Sequence, residues 1–289
     1  MYYFLSIFIG VIISVMILFN GELTSFHGVY ISTTIIHLIA LFFVSIICKV
    51  KKVPLLTKKI PFLLYTGGSI GVITIVFNNL AFGKISISAI TALSLLGQAI
   101  TSIIIDNYGF FNMPKQAFQK SKLISLLFMV FGIAYMMSST VDIVIIPIIL
   151  SFLTGITVVT SRTVNAGFAQ KTSMLASTWY NYFTGLIVSV IMVLIFYKSI
   201  EFKPFTFSSN VFIYLGGILG ALAVHLSNLS VAKISSFSMT LLLFIGQIFS
   251  GIILDIILTH EFSQVNLIGG ILVTIGLFID VWIDKKKNA

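Results

Sequence analysis

Four side-chain amides, Asn79, Gln98, Asn228 and Gln247, fall inside otherwise apolar runs, as do His37, His225 and Tyr182. Groups of this kind recognise a partner by hydrogen bonding and do not by themselves break bonds. The chain has 8 carboxylates and 4 histidines. None of them forms a zinc-protease pair, and no nucleophile elbow or glycine loop ending in Lys-Ser/Thr is present. An enzyme, a cofactor, a metal site and ATP as energy source are therefore not expected. Cys48 is the single cysteine, so no intrachain disulfide can form.

Two further patterns bear on chemistry. Thr91, Ser94, Gln98 and Thr101 or Ser102 recur at three- and four-residue steps, a polar stripe on one helix face, and Thr240, Gln247 and Ser250 repeat it less fully. Such a stripe is costly against lipid, so it must face protein, as structural glue, or a water-filled cavity. Asp106 and Asp255 end apolar runs at the C-terminal end, where the helix dipole disfavours a carboxylate. Lys84 and Asp106 bracket a whole span, roughly 30 Å apart by helix rise, too far to pair. Pairing across the chain, Asp106 with Lys233 and Asp255 with Lys84, would make two gates. The plainer alternative is four solvated charges at the membrane surface.

The elements that must position these residues follow from composition. Of 289 residues 58% are hydrophobic and 9% charged, against about 25% charged in soluble domains; mean hydropathy is +1.13. A hydrocarbon layer takes about 20 apolar residues per helix, and ten such runs can be placed, at 2–19, 29–48, 61–82, 86–105, 123–138, 143–161, 173–197, 211–231, 237–258 and 265–281. The expected fold is an all-α polytopic membrane protein, since barrel strands would be about ten residues long and alternate. The first run has no basic leader or A-x-A cleavage site and reads as a retained span.

Ten spans put both termini on one side. Fourteen cations gather there: Lys49, Lys51, Lys52, Lys58, Lys59, Lys115, Lys120, Lys122, Arg162, Lys171, Lys233 and Lys285 to Lys287; the other side holds Lys84, Lys198 and Lys203. The asymmetry predicts a plasma-membrane protein with cytoplasmic termini. It also explains the net charge of +9 without nucleic acid, which is not expected as a partner.

The chain repeats itself. Written over residues 214–255, residues 65–106 give sixteen identities in 42 positions, among them Gly67/Gly216, Gly68/Gly217, Gly71/Gly220, Asn79/Asn228, Lys84/Lys233, Ser86/Ser235, Gln98/Gln247 and Asp106/Asp255. At an offset of 145, Asn20 meets Asn165 and Thr33 meets Thr178; near the end of each half, Gly132 falls over Gly276. Two five-span repeats are expected, at 1–140 and 141–289. Five is odd, so the second must be threaded upside down, the architecture of many secondary transporters. Gly67-x-x-x-Gly71 and Gly216-x-x-x-Gly220 suggest close helix packing.

The stretch Gly67-Gly68-x-x-Gly71, then Asn79, Lys84-Ile85-Ser86, Gly97-Gln98 and Asp106, resembles the YdcZ-type branch of the drug/metabolite transporter superfamily. The resemblance spans both halves and implies a ten-helix alternating-access carrier of small metabolites or drug-like solutes, more an exporter than an importer. Half-size relatives use a first-helix Glu for proton and cation exchange, which points to Glu22 for coupling. Glu22 nevertheless lies past Asn20-Gly21, and its repeat counterpart is Gly167. An exposed hairpin carboxylate is the other reading.

Function is thus expected to be secondary transport of a small organic solute, coupled to an ion gradient, within the lipid bilayer. One chain carrying both repeats needs no second subunit. Gln98, Gln247, Asn79, Asn228, His37 and Tyr182 are the candidate solute contacts, with Trp179 and Tyr180 as aromatic wall or interfacial belt. A channel would need a continuous polar path, and an intramembrane enzyme would need clustered acids, bases or ligands at one depth.

Overall fold

The computed structural model describes residues 1–55, 60–112, 115, 120–137, 144–196, 198, 206–231, 233–260 and 262–288. Pro114, Pro204, Lys58, Lys59 and the boundary between residues 140 and 141 lie outside them. Among the described residues ten α-helices follow one another: α1 Tyr2–His27, α2 Val29–Val50, α3 Gly67–Ala81, α4 Ile87–Tyr108, α5 Lys120–Met137, α6 Ile145–Lys171, α7 Met174–Ile195, α8 Gly216–Val231, α9 Ser236–Thr259 and α10 Gln264–Asn288. Eight of these segments are long and apolar enough to cross a bilayer. α5 and α10 carry shorter apolar stretches, Lys122–Met136 and Gln264–Gly276.

Local chemistry sets the ends. α1 runs on past Asn20, Gly21 and Glu22, which the sequence reading places in a hairpin. It stops only at Gly28, whose φ of 79° breaks the helix while its N–H donates to the Thr24 carbonyl at 2.7 Å. α4 and α9 begin alike, after the two Lys-Ile-Ser turns. Ser86 Oγ accepts from the Ala89 N–H at 3.1 Å, and Ser235 Oγ from the Ser238 N–H at 3.0 Å. α3 and α8 are each led in by a short 3-10 turn, Phe62–Thr66 and Val211–Leu215. α6 extends to Lys171, ten residues beyond the expected 161, and takes Arg162 into its body.

Helix pairing follows a pattern that exchange of α1 to α5 with α6 to α10 leaves unchanged. α1 packs on α9 and α8 as α6 packs on α4 and α3; α2 packs on α7, α5 on α10, and α4 on α9. The closest approaches are made by glycines that are themselves repeat counterparts. A Cβ on Gly10 would strike the Leu243 carbonyl oxygen and come within 2.9 Å of the Gln247 nitrogen. On Gly155 it would strike the Ser94 carbonyl oxygen and come within 2.6 Å of the Gln98 nitrogen. Gly67 lies against the Asn165 carboxamide, and Gly216 against that of Asn20. Large apolar side chains such as Phe4, Phe42, Phe131 and Leu194 point outward, as a lipid-facing surface requires.

Gly10→Ala and Gly155→Ala should each destabilise the purified protein by about 1–3 kcal/mol or more, because overpacking against backbone cannot be relieved by a side-chain rotation. Gly71→Ala should stay near wild type, since its Cβ would stand 3.8 Å from the nearest atom. Thermal melting in detergent compares the three.

Candidate functional site

Eight helices, all except α5 and α10, line a cavity of about 150 Å³. Gln98 of α4 and Gln247 of α9 line it from near the middle of their helices, as do Asn228 of α8, His37 of α2 and Tyr182 of α7. Five of the six expected solute contacts therefore converge. Asn79 does not: it is buried off the cavity, and Asn78 takes the place. The reason is helical phase. Gly71, Thr74, Ile75 and Asn78 share the cavity face of α3 at three- and four-residue steps, and Asn79 is turned a further ~100° from Asn78. Gly71 and Gly220, expected to serve packing, line the cavity as well, while Gly67 and Gly216 do the packing.

The lining side chains are only partly satisfied. Gln98 Nε2 donates to Ser94 Oγ at 3.4 Å, and Asn228 Nδ2 donates to Ser177 Oγ at 3.4 Å. Gln98 Oε1, Asn228 Oδ1, Asn78 Oδ1 and Gln247 Nε2 find no hydrogen-bond partner among the described residues. Buried polar atoms are normally paired, and these four, on residues that line the cavity, are left without a partner in the packing. His37 Nδ1 lies 2.8 Å from the Thr33 carbonyl oxygen, which can only accept. The proton is therefore on Nδ1, and a neutral ring presents Nε2 as an acceptor. The imidazole sits 5.7 Å from the Tyr182 ring, centroid to centroid.

Arg162 is a residue the sequence reading misplaces, in a loop between spans. It lies inside α6, is 6% exposed and lines the cavity. Its Nη2 donates to Thr240 Oγ1 at 3.0 Å, Ser236 Oγ at 3.2 Å, and Ser102 Oγ and the Ser236 carbonyl at 3.5 Å. Next to it, Asn165 Nδ2 donates to Asn181 Oδ1 at 2.8 Å, tying α6 to α7.

The expected gate is rearranged. Asp106 is buried, and its Oδ2 is 3.8 Å from Lys122 Nζ of α5 rather than paired with Lys233, which is exposed. Its carboxylate also caps α9: Oδ1 accepts from the Ser236 N–H at 3.3 Å and Oδ2 from the Phe237 N–H at 3.1 Å. A helix N-terminus offers free N–H groups and the positive end of the dipole, which offsets the unfavourable end of α4. The link between halves is thus made through backbone. At the other gate, Lys84 is exposed and Asp255 is half-buried near the end of α9. Glu22 is half-buried on α1, away from the cavity, and its Oε2 accepts from Asn210 Nδ2 at 3.2 Å.

A model of the family described as "Putative inner membrane exporter, YdcZ" matches residues 1–135 and, separately, 146–279. The chain belongs to this family. It is therefore a multi-pass membrane protein of the drug/metabolite transporter type. A solved crystal structure aligns over 100% of this chain and 98% of its own, at TM-score 0.72 and 11% identity; a likeness at that identity concerns the fold alone. No curated protein matches.

The Asp106 arrangement has a direct test. Asp106→Asn and Lys122→Met should each lower stability by about 3 kcal/mol, as breaking a buried pair does. Their losses should be less than additive by roughly 1–3 kcal/mol, whereas Lys233→Met should stay within about 0.5 kcal/mol. Unfolding of the four variants in detergent supplies the cycle.

Proposed function

We propose that this YdcZ-family protein is a secondary carrier that moves a small organic solute by alternating access, with the solute held in the cavity between its halves. The observation that carries the reading is the cavity itself. It is lined from eight helices of both halves, by residues whose polar side chains are left partly unpaired. The halves are residues 1–140 and 141–289, two five-helix repeats in opposite orientation, with α5 and α10 completing ten crossings. The exchange-invariant helix pairing supports this organisation, as does the separate family match to each half.

Cytoplasmic termini follow from the cation distribution. With Arg162 moved into a helix, thirteen cations against three still satisfy the positive-inside rule. On this topology the Asp106 cluster closes the cytoplasmic end of the cavity. Opening there must separate α4 from the N-terminus of α9 and so break the two backbone bonds to Asp106. Export coupled to an ion gradient is the reading for direction and energy, in keeping with the family's description. Glu22, bound to Asn210 and off the cavity, is poorly placed to couple the two. His37, on the cavity wall, is better placed.

Counterflow in proteoliposomes tests the carrier. A panel of small labelled solutes should include one whose uptake saturates and is accelerated by the same unlabelled solute inside. Linear, non-exchanging flux would mean a channel instead. Gly71→Ala, which extends a methyl group beside the cavity without a clash, should reduce that exchange at least several-fold while leaving the melting temperature near wild type.

A further inference from the structure

We infer that the solute is a small organic anion, a carboxylate with an apolar ring or chain, and that Arg162 is the residue that holds its charged end. The inference deepens the carrier reading and rests on it for the identity of the cavity. Among the described residues Arg162 is the charged residue on the cavity wall, and no Asp or Glu lines the cavity. Its Nη2 makes every hydrogen bond it has, and Nε and Nη1 are without a partner among the described residues although the side chain is 6% exposed. Three of the five guanidinium N–H bonds are therefore unspent.

A structural arginine within a membrane bundle is normally matched to a carboxylate or saturated by carbonyls. Here the neighbouring carboxylate is already committed. Asp106 spends its oxygens on two α9 backbone N–H groups and on Lys122, so one acid faces two buried cations. The hydroxyls of Ser102, Ser236 and Thr240 fix the guanidinium by one nitrogen and add no negative charge. An anion in the cavity would meet the free donors in the geometry for which arginine is best suited.

The shape of the site narrows the class. The repeat counterpart of Arg162, at the offset of 145, is Ile17, which also lines the cavity. One position of the lining is thus cationic, and its counterpart on α1 is apolar, continued along that helix by Ile13. A cavity of about 150 Å³ accommodates a body on the order of a benzene ring. A carboxylate group with such a body fits both positions, and a cation would meet Arg162 with repulsion.

The experiment uses the purified full chain and three near-isosteric probes, benzoate, benzamide and benzylamine. Benzoate should raise the melting temperature saturably, and the neutral and cationic analogues should not. The effect should vanish in Arg162→Gln and persist in Arg162→Lys with affinity weaker by about tenfold. If Arg162→Gln does not fold, the preference for benzoate over benzamide in the wild type and its weakening in Arg162→Lys still decide. The proposal is overturned if benzamide or benzylamine stabilises as well as benzoate, if benzoate has no effect, or if a folded Arg162→Gln keeps the full response. Binding is read without flux, so the two readings separate. Benzoate bound but never exchanged in proteoliposomes removes the carrier and leaves the site. A neutral solute exchanged equally by wild type and Arg162→Gln removes the anion site and leaves the carrier.

Discussion

Helices in hydrocarbon gain nothing by hiding apolar side chains from one another, because lipid tails solvate those side chains equally well. What holds this protein together must therefore be contact too close for lipid to imitate. Gly10 against Gly246 and Gly97 against Gly155 supply it, bringing α1 onto α9 and α6 onto α4 with backbone nearly touching backbone. Both contacts cross from one half of the sequence to the other. The halves consequently cannot be separate domains joined by a linker; each completes the packing of the other.

The cavity is the other face of the same constraint. Close packing at Gly67 and Gly216 brings α3 to α6 and α8 to α1, and one turn further on, Gly71 and Gly220 both reach the cavity wall. The two are not equivalent there: a Cβ on Gly71 would stand 3.8 Å from its nearest neighbour, whereas one on Gly220 would stand 2.8 Å from the Tyr182 hydroxyl. α5 and α10, packed on each other, stay outside the cavity. They have no part in contacting a solute and are free to act as a fixed flank.

Much of this was legible in the residues. The apolar runs fall in helices, and the paired glutamines, read from their place inside such runs, lie on the cavity wall. What was not legible depended on treating charge or Asn-Gly as a boundary. Asn20-Gly21 is a turn signal in water, yet α1 passes through it, with Asn20 buried against Gly216, because a helix in a bundle keeps its backbone bonds. Arg162 looked like the end of a span for the same reason. The residues after it, Thr163 to Ala169, contain no further charge, and that was the signal that the helix continued. Asn78 and Asn79 are adjacent in sequence but some ~100° apart around the helix, a distinction that repeat alignment alone, which matches Asn79 to Asn228, does not make. Asp106 was expected to find compensation, and did. The backbone of α9 competes for a carboxylate as well as any lysine does, and sequence counts only side chains.

The duplication constrains frame and lining differently. The contacts that hold the halves together have stayed equivalent, in the glycine pairs and the serine caps. The cavity wall is mixed: Gln98 matches Gln247 and Gly71 matches Gly220, whereas at the offset of 145 His37 answers to Tyr182 and Ile17 to Arg162. The His37 and Tyr182 rings meet at 5.7 Å. A symmetric frame lets the same motion serve both openings, and an asymmetric wall lets a bound molecule take one orientation throughout it. On the carrier reading proposed above, that combination would let one residue hold one end of an asymmetric solute in both orientations of the protein.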